Sequence, residues 1–219
     1  FAHAVPGGAD NLISRAHALL QQAIPLPAVR VRLHKVLPVA AGIGGGSADA
    51  AAALRAFVKL SGPVAPSVVD AVAVKLGADV PVCFRQSASR MRGVGEQLSP
   101  LPTLPAAAIV LVNPGVACET AAVFAAIGLG KGQAYRSGLD VDQPSTWRND
   151  MTDAAISVQP VIADVLATLS RHPLLGGVRM SGSGATCFGL APDLATAERV
   201  ADAMRAAHPS WWVKAARLS

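Results

Sequence analysis

Aromatic residues make up only 4 % of this 219-residue chain. That scarcity removes the stacking platforms on which single-stranded nucleic acids are held. Charged residues are also few, at 15 %, and although the formal net charge is +5, the basic side chains form no stripe or block. No nucleic-acid partner is expected, and the basic balance leaves two readings: a mildly basic surface, or an anionic ligand such as a nucleotide. No apolar run approaches the ~20 residues that a membrane span needs, so no membrane partner is expected. Cysteine is sparse: Cys83, Cys118 and Cys187 lie far apart, without a C-x-x-C pair. His3, His17, His34, His172 and His208 show no H-x-x-x-H spacing. These absences argue against a resident structural metal and a disulfide framework, and predict a reducing, cytoplasmic setting. The opening FAHAVPGGAD has neither a basic n-region nor an apolar h-region, so no signal peptide is expected; it also lacks an initiator Met.

What the chain does have is small and apolar. Twenty glycines, sixteen prolines and a hydrophobic share of 52 % predict a compact globular protein with many tight turns, in one large or two small domains. Leu12, Ala16, Leu19 and Leu20 share a helical face over 11–22, with Asp10 placed to cap it. Val29 to Leu33 alternates apolar and basic residues and reads as a strand. Helices are predicted over 47–60, over 67–76 with Ser67 and Asp70 in capping-box spacing, over 160–169 and over 195–207. Val80 to Arg85 and Met91 to Leu98 read as strands around a polar turn; Ala106 to Val112 is a further strand, and Trp212 to Ala216 a final edge strand. Gly128 to Ser145 reads as a loop, and Ser99 to Thr103 as a linker. Strands and helices mix without regular alternation, which predicts an α+β fold. The linker sets the expected domains at 1–100 and 101–219.

The run Pro38-Val39-Ala40-Ala41-Gly42-Ile43-Gly44-Gly45-Gly46-Ser47-Ala48 carries the chemistry. Consecutive glycines leave backbone N–H groups free to approach one anion. A helix beginning at the same place adds free N–H donors and a positive dipole end. The run is not a Walker A loop, because Ser47 follows Gly46 where a lysine belongs. It is not a dinucleotide fingerprint from Gly42, because that pattern needs Gly or Ala where Ser47 stands. On these residues alone it is either an anion socket or a tight turn that lets a helix pack closely.

Further segments narrow the choice. Lys35 through Ala52 resembles the phosphate-binding motif of the GHMP kinases. Leu76-Gly77-Ala78-Asp79-Val80-Pro81-Val82 resembles a catalytic-aspartate segment of that family. Gly93-Val94-Gly95-Glu96, Asn149-Asp150 and Met180-Ser181-Gly182-Ser183-Gly184-Ala185 resemble further family features in matching order. The resemblance implies a GHMP-kinase fold of two α/β domains with the active site in the cleft between them. It implies ATP with Mg²⁺, and a small-molecule substrate handled by a monomer or homodimer. Within the family, the resemblance is to the branch that phosphorylates the 2-hydroxyl of 4-diphosphocytidyl-2-C-methyl-D-erythritol in non-mevalonate isoprenoid biosynthesis.

By the same resemblance, Asp79 is the catalytic base, in a position where partial burial is expected. The nucleotide side is formed by Pro38, Val39, Ala40, Ala41, Gly42, Ile43, Gly44, Gly45, Gly46, Ser47 and Ala48, with Asn11 near the adenosine and Lys35 as a nucleotide-side lysine. Asn11 reads equally as a helix cap, Lys35 as a solvated strand end, and Ser47 as either an Mg²⁺ ligand or a cap. Thr120 and Phe124 are implied to line the substrate pocket, with Phe124 open to a core reading as well.

The sequence also departs from the family. The Pro-x-Lys-x-Asn motif and the Tyr-His pair with which the family opens do not occur here, and Ala40-Ala41 stands where glycine is commoner. An N-terminally truncated sequence is therefore expected, with its first domain incomplete, weak nucleotide binding and poor turnover by these residues alone. The alternatives are another GHMP kinase acting on homoserine, mevalonate or a sugar, a nucleotide-binding module without catalysis, and a structural domain without ligand.

Overall fold

The structure, a computed structural model, describes residues 7–101, 108–128 and 147–218. The described residues divide into two compact units. One holds 7–39 and 44–101, and the other holds Ala40–Ile43 with 108–128 and 147–218. The helices and antiparallel sheets mix as the α+β expectation has it.

The first unit is mainly helical: α1 (Leu12–Gln21), α2 (Gly45–Ser61), α3 (Pro66–Leu76) and α4 (Val80–Arg85), followed by the hairpin β1 (Ser89–Arg92) and β2 (Gln97–Pro100). Its core is built from helical periodicity. Ala16 and Leu20 of α1, Ala50, Ala51, Leu54 and Phe57 of α2, Val69, Val72, Ala73 and Leu76 of α3, and Val80 all bury together.

The second unit is a sheet backed by helices. After β3 (Ala108–Asn113) come α5 (Thr120–Ile127), α6 (Thr152–Val158), α7 (Val161–Ser170), β4 (Gly176–Met180), β5 (Cys187–Ala191), α8 (Leu194–Ala207) and β6 (Trp212–Arg217). The strand order is β4-β5-β3-β6, antiparallel throughout. Register pairs Val110 with Gly189 and Ala215, and Val112 with Cys187 and Val213, so these residues share one face. Ile162, Val165 and Leu169 of α7 and Ala197, Val200, Ala201 and Met204 of α8 join the same core. β6 is the predicted edge strand.

Several local expectations are corrected. Val80–Arg85 is a helix, not a strand. Pro81 fits a first helical turn, where no N–H is needed, and an apolar run this short does not declare its period. Val29 to Leu33 is not assigned to a strand, and Val29 and Val31 are 37 % and 47 % exposed. Alternation alone makes no ladder, and no described strand pairs with this segment. The predicted strand from Met91 to Leu98 is broken at Gly93 and Gly95, whose φ values of 68° and 99° turn the chain into the hairpin.

The cap of α1 is Asn11, whose Oδ1 accepts from the Ile13 N–H at 2.9 Å, while Asp10 closes a 3₁₀ turn before it. In α3 the helix opens at Pro66 after Ala65 with no side-chain cap, so the Ser67–Asp70 capping box does not form. Ser99 and Pro100 of the expected linker end β2, while positions 102 and 103 lie outside the described residues. The loop expected over 128–145 lies outside them too, apart from Gly128, which caps α5.

Two stability predictions follow from this packing. Leu54 is fully buried at the centre of the helical unit. Leu54→Ala should cost about 2–5 kcal/mol in chemical denaturation, with little change in denaturant slope. At the start of α8, Asp193 accepts from the Thr196 N–H at 2.7 Å, and that backbone bond holds the pKa of its carboxyl below the ordinary value. A depressed pKa gives a contribution that is complete above the unfolded value of ~3.9 and is lost as pH falls through the folded one. Thermal melts of Asp193→Ala should therefore lie below the parent at pH ~6 and converge with it near pH ~2.

Candidate functional site

In the helical unit, site geometry gathers at the N-terminus of α2. Gly44 is its N-cap, with φ 65° and ψ 15°, a left-handed conformation natural to glycine. The first bond of the helix runs from the Ala48 N–H to the Gly44 carbonyl at 2.9 Å. The amides of Gly45, Gly46 and Ser47 therefore precede the intrahelical ladder and point along the axis at the positive dipole end. Ser47 falls in the first turn of the helix rather than at its cap.

Two charged side chains occupy the space that the glycines leave open. A Cβ on Gly44 would stand 3.7 Å from Oδ2 of Asp79, and one on Gly45 would stand 3.2 Å from Nζ of Lys35. Asp79 is the N-cap residue of α4, yet its side chain makes no capping bond, so the carboxylate is left to face Gly44. Asp79 is exposed, which corrects the expected partial burial. Lys35 is paired with Asp49 and its side chain is only 13 % exposed, so it is no solvated strand end.

Asp49 was not singled out in the sequence. Its signal was its place four residues after Gly45, on the same helical face. Gly95 was also missed as a supporting contact. A Cβ there would meet the Ala78 carbonyl at 2.1 Å, so the hairpin turn presses directly on the residue before Asp79. Within the same turn, Glu96 accepts from the Val94 N–H at 2.7 Å, and backbone bonds hold its carboxyl below the usual range.

The earlier half of the glycine-rich run belongs to the sheet unit. Gly42 has φ 71°, and a Cβ there would lie 2.3 Å from the Gly184 carbonyl and 2.7 Å from that of Ser181. Ser181 Oγ donates to the Gly42 carbonyl at 2.8 Å, and the Thr186 N–H donates to the Ala41 carbonyl at 3.2 Å. The Ser181–Gly184 turn is itself held by Asn149, whose Nδ2 donates to the carbonyls of Met180 at 2.9 Å and Gly182 at 2.7 Å. Thr186 accepts from Asn113 Nδ2 at 2.9 Å across the sheet.

Thr120 Oγ1 lies 2.8 Å from Ser183 Oγ. Phe124, one helical turn further along α5, is 54 % exposed, which rules out the core reading. Cys118 beside this turn and Cys187 in β5 are both buried, and burial pushes the Cys187 thiol up to about 12. Asn11 caps α1 as described, and Pro38 and Val39 are half-buried on the way into the loop. Ala40 and Ala48 are exposed, and Ile43 is half-buried. Among the described residues, no three His, Cys, Asp or Glu side chains converge as a metal-binding group, and no helix is long and apolar enough to cross a membrane.

Comparison with known proteins bears on this geometry. The model of the GHMP kinases N terminal domain matches residues 11–87, and that of the GHMP kinases C terminal matches residues 138–210. The chain is 49 % identical to the 4-diphosphocytidyl-2-C-methyl-D-erythritol kinase of Ruegeria pomeroyi, over 95 % of this chain and 76 % of that protein. It is 45 % identical to the enzyme of that name from Paramagnetospirillum magneticum, over 99 % of this chain and 79 % of the relative. A crystal structure of 4-(cytidine 5'-diphospho)-2C-methyl-D-erythritol kinase superposes with a TM-score of 0.80 at 34 % identity, covering 97 % of this chain and 80 % of that one. Homoserine kinase from Cytophaga hutchinsonii gives a TM-score of 0.73 at 17 % identity, over 98 % of this chain and 78 % of that one, which is a likeness of fold.

The close approach at Gly42 makes a testable contrast. Gly42→Ala would push a Cβ into two backbone carbonyls at a left-handed φ, at a cost of about 1–3 kcal/mol. It should lower the melting temperature and weaken ATP-dependent thermal stabilisation. Gly46→Ala, whose Cβ would meet only Leu12 Cδ1 at 3.5 Å, should leave the melting temperature within a degree or two of the parent (about 0.5 kcal/mol or less).

Proposed function

The chain belongs to the GHMP kinase family, and from that premise we propose that it transfers the γ-phosphoryl group of ATP to the 2-hydroxyl of 4-diphosphocytidyl-2-C-methyl-D-erythritol. The products are the 2-phosphate and ADP, and the reaction belongs to non-mevalonate isoprenoid biosynthesis. The observation that carries the reaction class is the Asp79 carboxylate standing beside Gly44, at the amide end of α2. An anion-binding helix terminus next to a carboxylate is what phosphoryl transfer to an alcohol requires. The names of relatives 49 % and 45 % identical over nearly the whole chain support the substrate. The homoserine kinase likeness, at 17 % identity, speaks for the fold and leaves the substrate untouched.

The amides of Gly45, Gly46 and Ser47 accept the negative charge of the phosphates, and the helix dipole adds to the attraction. Lys35, held beside Gly45 by its pair with Asp49, supplies a fixed positive charge close to the same amides. Asp79 takes the proton of the substrate hydroxyl as its oxygen bonds to the γ-phosphorus and the bond to the β–γ bridging oxygen breaks. The Ser47 hydroxyl, in the first turn of α2, would help to hold an Mg²⁺ ion brought in with the nucleotide. There it supplies charge neutralisation of the phosphates.

Asn11 is assigned to the adenosine side in addition to its cap. Thr120 and the exposed ring of Phe124 are assigned to the cytidine, with the ring available for stacking. The nucleotide run Pro38–Ala48 and the domains 1–100 and 101–219 complete the reading, and a cytoplasmic setting suits a reaction that consumes ATP.

The test is ADP release by the protein expressed from its complete reading frame, with 4-diphosphocytidyl-2-C-methyl-D-erythritol, homoserine and mevalonate offered in turn. Turnover should appear with the first only. Asp79→Asn should lower kcat by about 10²–10⁴-fold while ATP affinity stays nearly unchanged. Near-parental turnover by this variant would remove Asp79 from the role of base.

A further inference from the structure

The reaction above leaves unexplained a contact made by Arg55. This residue lies on α2, roughly 15 Å along the axis from Gly45. Its Nη1 donates to the carbonyls of Cys83 at 2.9 Å and Phe84 at 3.3 Å, and the guanidinium carbon lies 5.9 Å from the centre of the Phe84 ring. Those carbonyls belong to the last turn of α4, where a helix runs out of its own donors and gathers negative charge. With six residues, α4 is too short to hold itself together by its own ladder. Burial of Val80 holds its first turn in the core, and Arg55 holds its last turn.

At the other end stands Asp79. Its carbonyl accepts from the Cys83 N–H at 3.1 Å. Cys83 is therefore tied to Asp79 through its N–H and to Arg55 through its carbonyl. Burial of the Cys83 thiol, with the charge of Asp79 next in effect, raises its pKa while Arg55 lowers it, as expected for charges gathered around one short turn. On the remaining side, the Gly95 backbone bears on Ala78. The helix that presents the Gly45, Gly46 and Ser47 amides at its start thus also carries, three turns on, the side chain that grips the helix of Asp79.

We propose that Arg55 is a positioning residue for phosphoryl transfer: by clamping the C-terminal turn of α4 to α2, it sets the separation between the Asp79 carboxylate and the amides at the start of α2. The proposal rests on Asp79 being the base. Arginine suits the task because one nitrogen, Nη1, donates to both carbonyls while the guanidinium carbon stays 5.9 Å from the centre of the Phe84 ring, within reach of a cation–π attraction. A base displaced by about an ångström loses on the order of 10²-fold in rate while the nucleotide still binds.

The experiment measures kcat, the KM for ATP and ATP-dependent thermal stabilisation for Arg55→Leu, Arg55→Lys, Arg55→Ala, Asp79→Asn and Arg55→Leu combined with Asp79→Asn, each in the protein expressed from its complete reading frame. Arg55→Leu should lose about 10–100-fold in kcat with the KM for ATP within about twofold, and should keep its ATP-dependent stabilisation. Arg55→Lys should lose less. Arg55→Ala should regain part of its kcat when methylguanidinium is added, a rescue that general loosening of the fold does not produce. Combined with Asp79→Asn, Arg55→Leu should slow the enzyme no further, since Arg55 acts through Asp79. Parental kcat in a folded Arg55→Leu, or a kcat loss matched by an equal rise in KM without methylguanidinium rescue, overturns the proposal. Should Arg55→Leu fail to fold, Arg55→Lys and the rescue decide the question. The two readings fail separately: active Asp79→Asn removes the base and this inference with it, whereas inactive Asp79→Asn beside fully active Arg55→Leu removes this inference alone.

Discussion

The sheet unit depends on a backbone-to-backbone approach at Gly42 that only a residue without Cβ permits. A Cβ there would come within 2.3 Å of the Gly184 carbonyl, closer than any real side chain stands. Because the space is empty, the strand of chain from Ala41 to Gly42 can lie flat against the Ser181–Gly184 turn. It is fastened there by the Ser181 hydroxyl and the Thr186 amide. The turn is held in its own right: Asn149 bridges the Met180 and Gly182 carbonyls, and Asn113 of β3 holds Thr186 just after the turn. A loop rich in glycine is mobile when it is free. This one is tied down at successive carbonyls, and the ordering entropy is met during folding rather than at the moment a ligand arrives.

Past Ile43 the chain enters α2, and the organisation of the helical unit follows from that helix. One face is built of Ala50, Ala51, Leu54 and Phe57 and buries against α1, α3 and α4. The first turn offers amides, Asp49 anchors Lys35 beside them, and Arg55 reaches the far end of α4. The Lys35–Asp49 pair is partly buried, with side chains 13 % and 27 % exposed. Desolvation offsets much of its attraction, so its contribution to stability is small next to its effect on where the ammonium sits. Functional groups spaced along one helix keep their distances better than groups carried on separate loops, because the ladder between them is stiff.

How much of this could be read from the sequence depended on whether the signal was local. Periodicity over a long stretch is local, and the helices at 12–21, 45–61, 161–170 and 194–207 stand within two residues of their predicted limits. The glycine run declared an anion socket or a tight turn; the geometry has the turn at Gly42 and, at Gly45 to Ser47, helix-start amides of the kind the socket reading needs. What failed was decided by neighbours distant in sequence. Val80–Arg85 became a helix because Pro81 suits a first turn and Arg55, from another element, takes its last carbonyls. Val29 to Leu33 alternated correctly, but pairing is a property of two segments. At α1 the cap reading of Asn11 holds, in place of Asp10 one position earlier. Arg55 was not singled out in the sequence, since nothing in its flanking residues names Cys83 and Phe84 as partners.

Ala40 shows how firmly the loop is determined. It has φ 53°, a left-handed conformation that costs an alanine roughly 1–2 kcal/mol relative to its ordinary regions. Glycine would adopt it freely, and the exposed position of Ala40 leaves room for either residue. The strain persists because the residues immediately after it have no alternative. Ala41 is buried and bonded through its carbonyl, and Gly42 is locked against the Ser181–Gly184 turn. The direction in which the chain must leave Ala41 therefore dictates the backbone of Ala40 from its C-terminal side, and the alanine conforms. Its methyl group in turn narrows the conformations open to the chain before it folds, which recovers part of that cost through the unfolded state. A left-handed alanine at the entry to a glycine-rich loop is thus what results when the loop's shape is imposed by tertiary contact, with local propensity overruled.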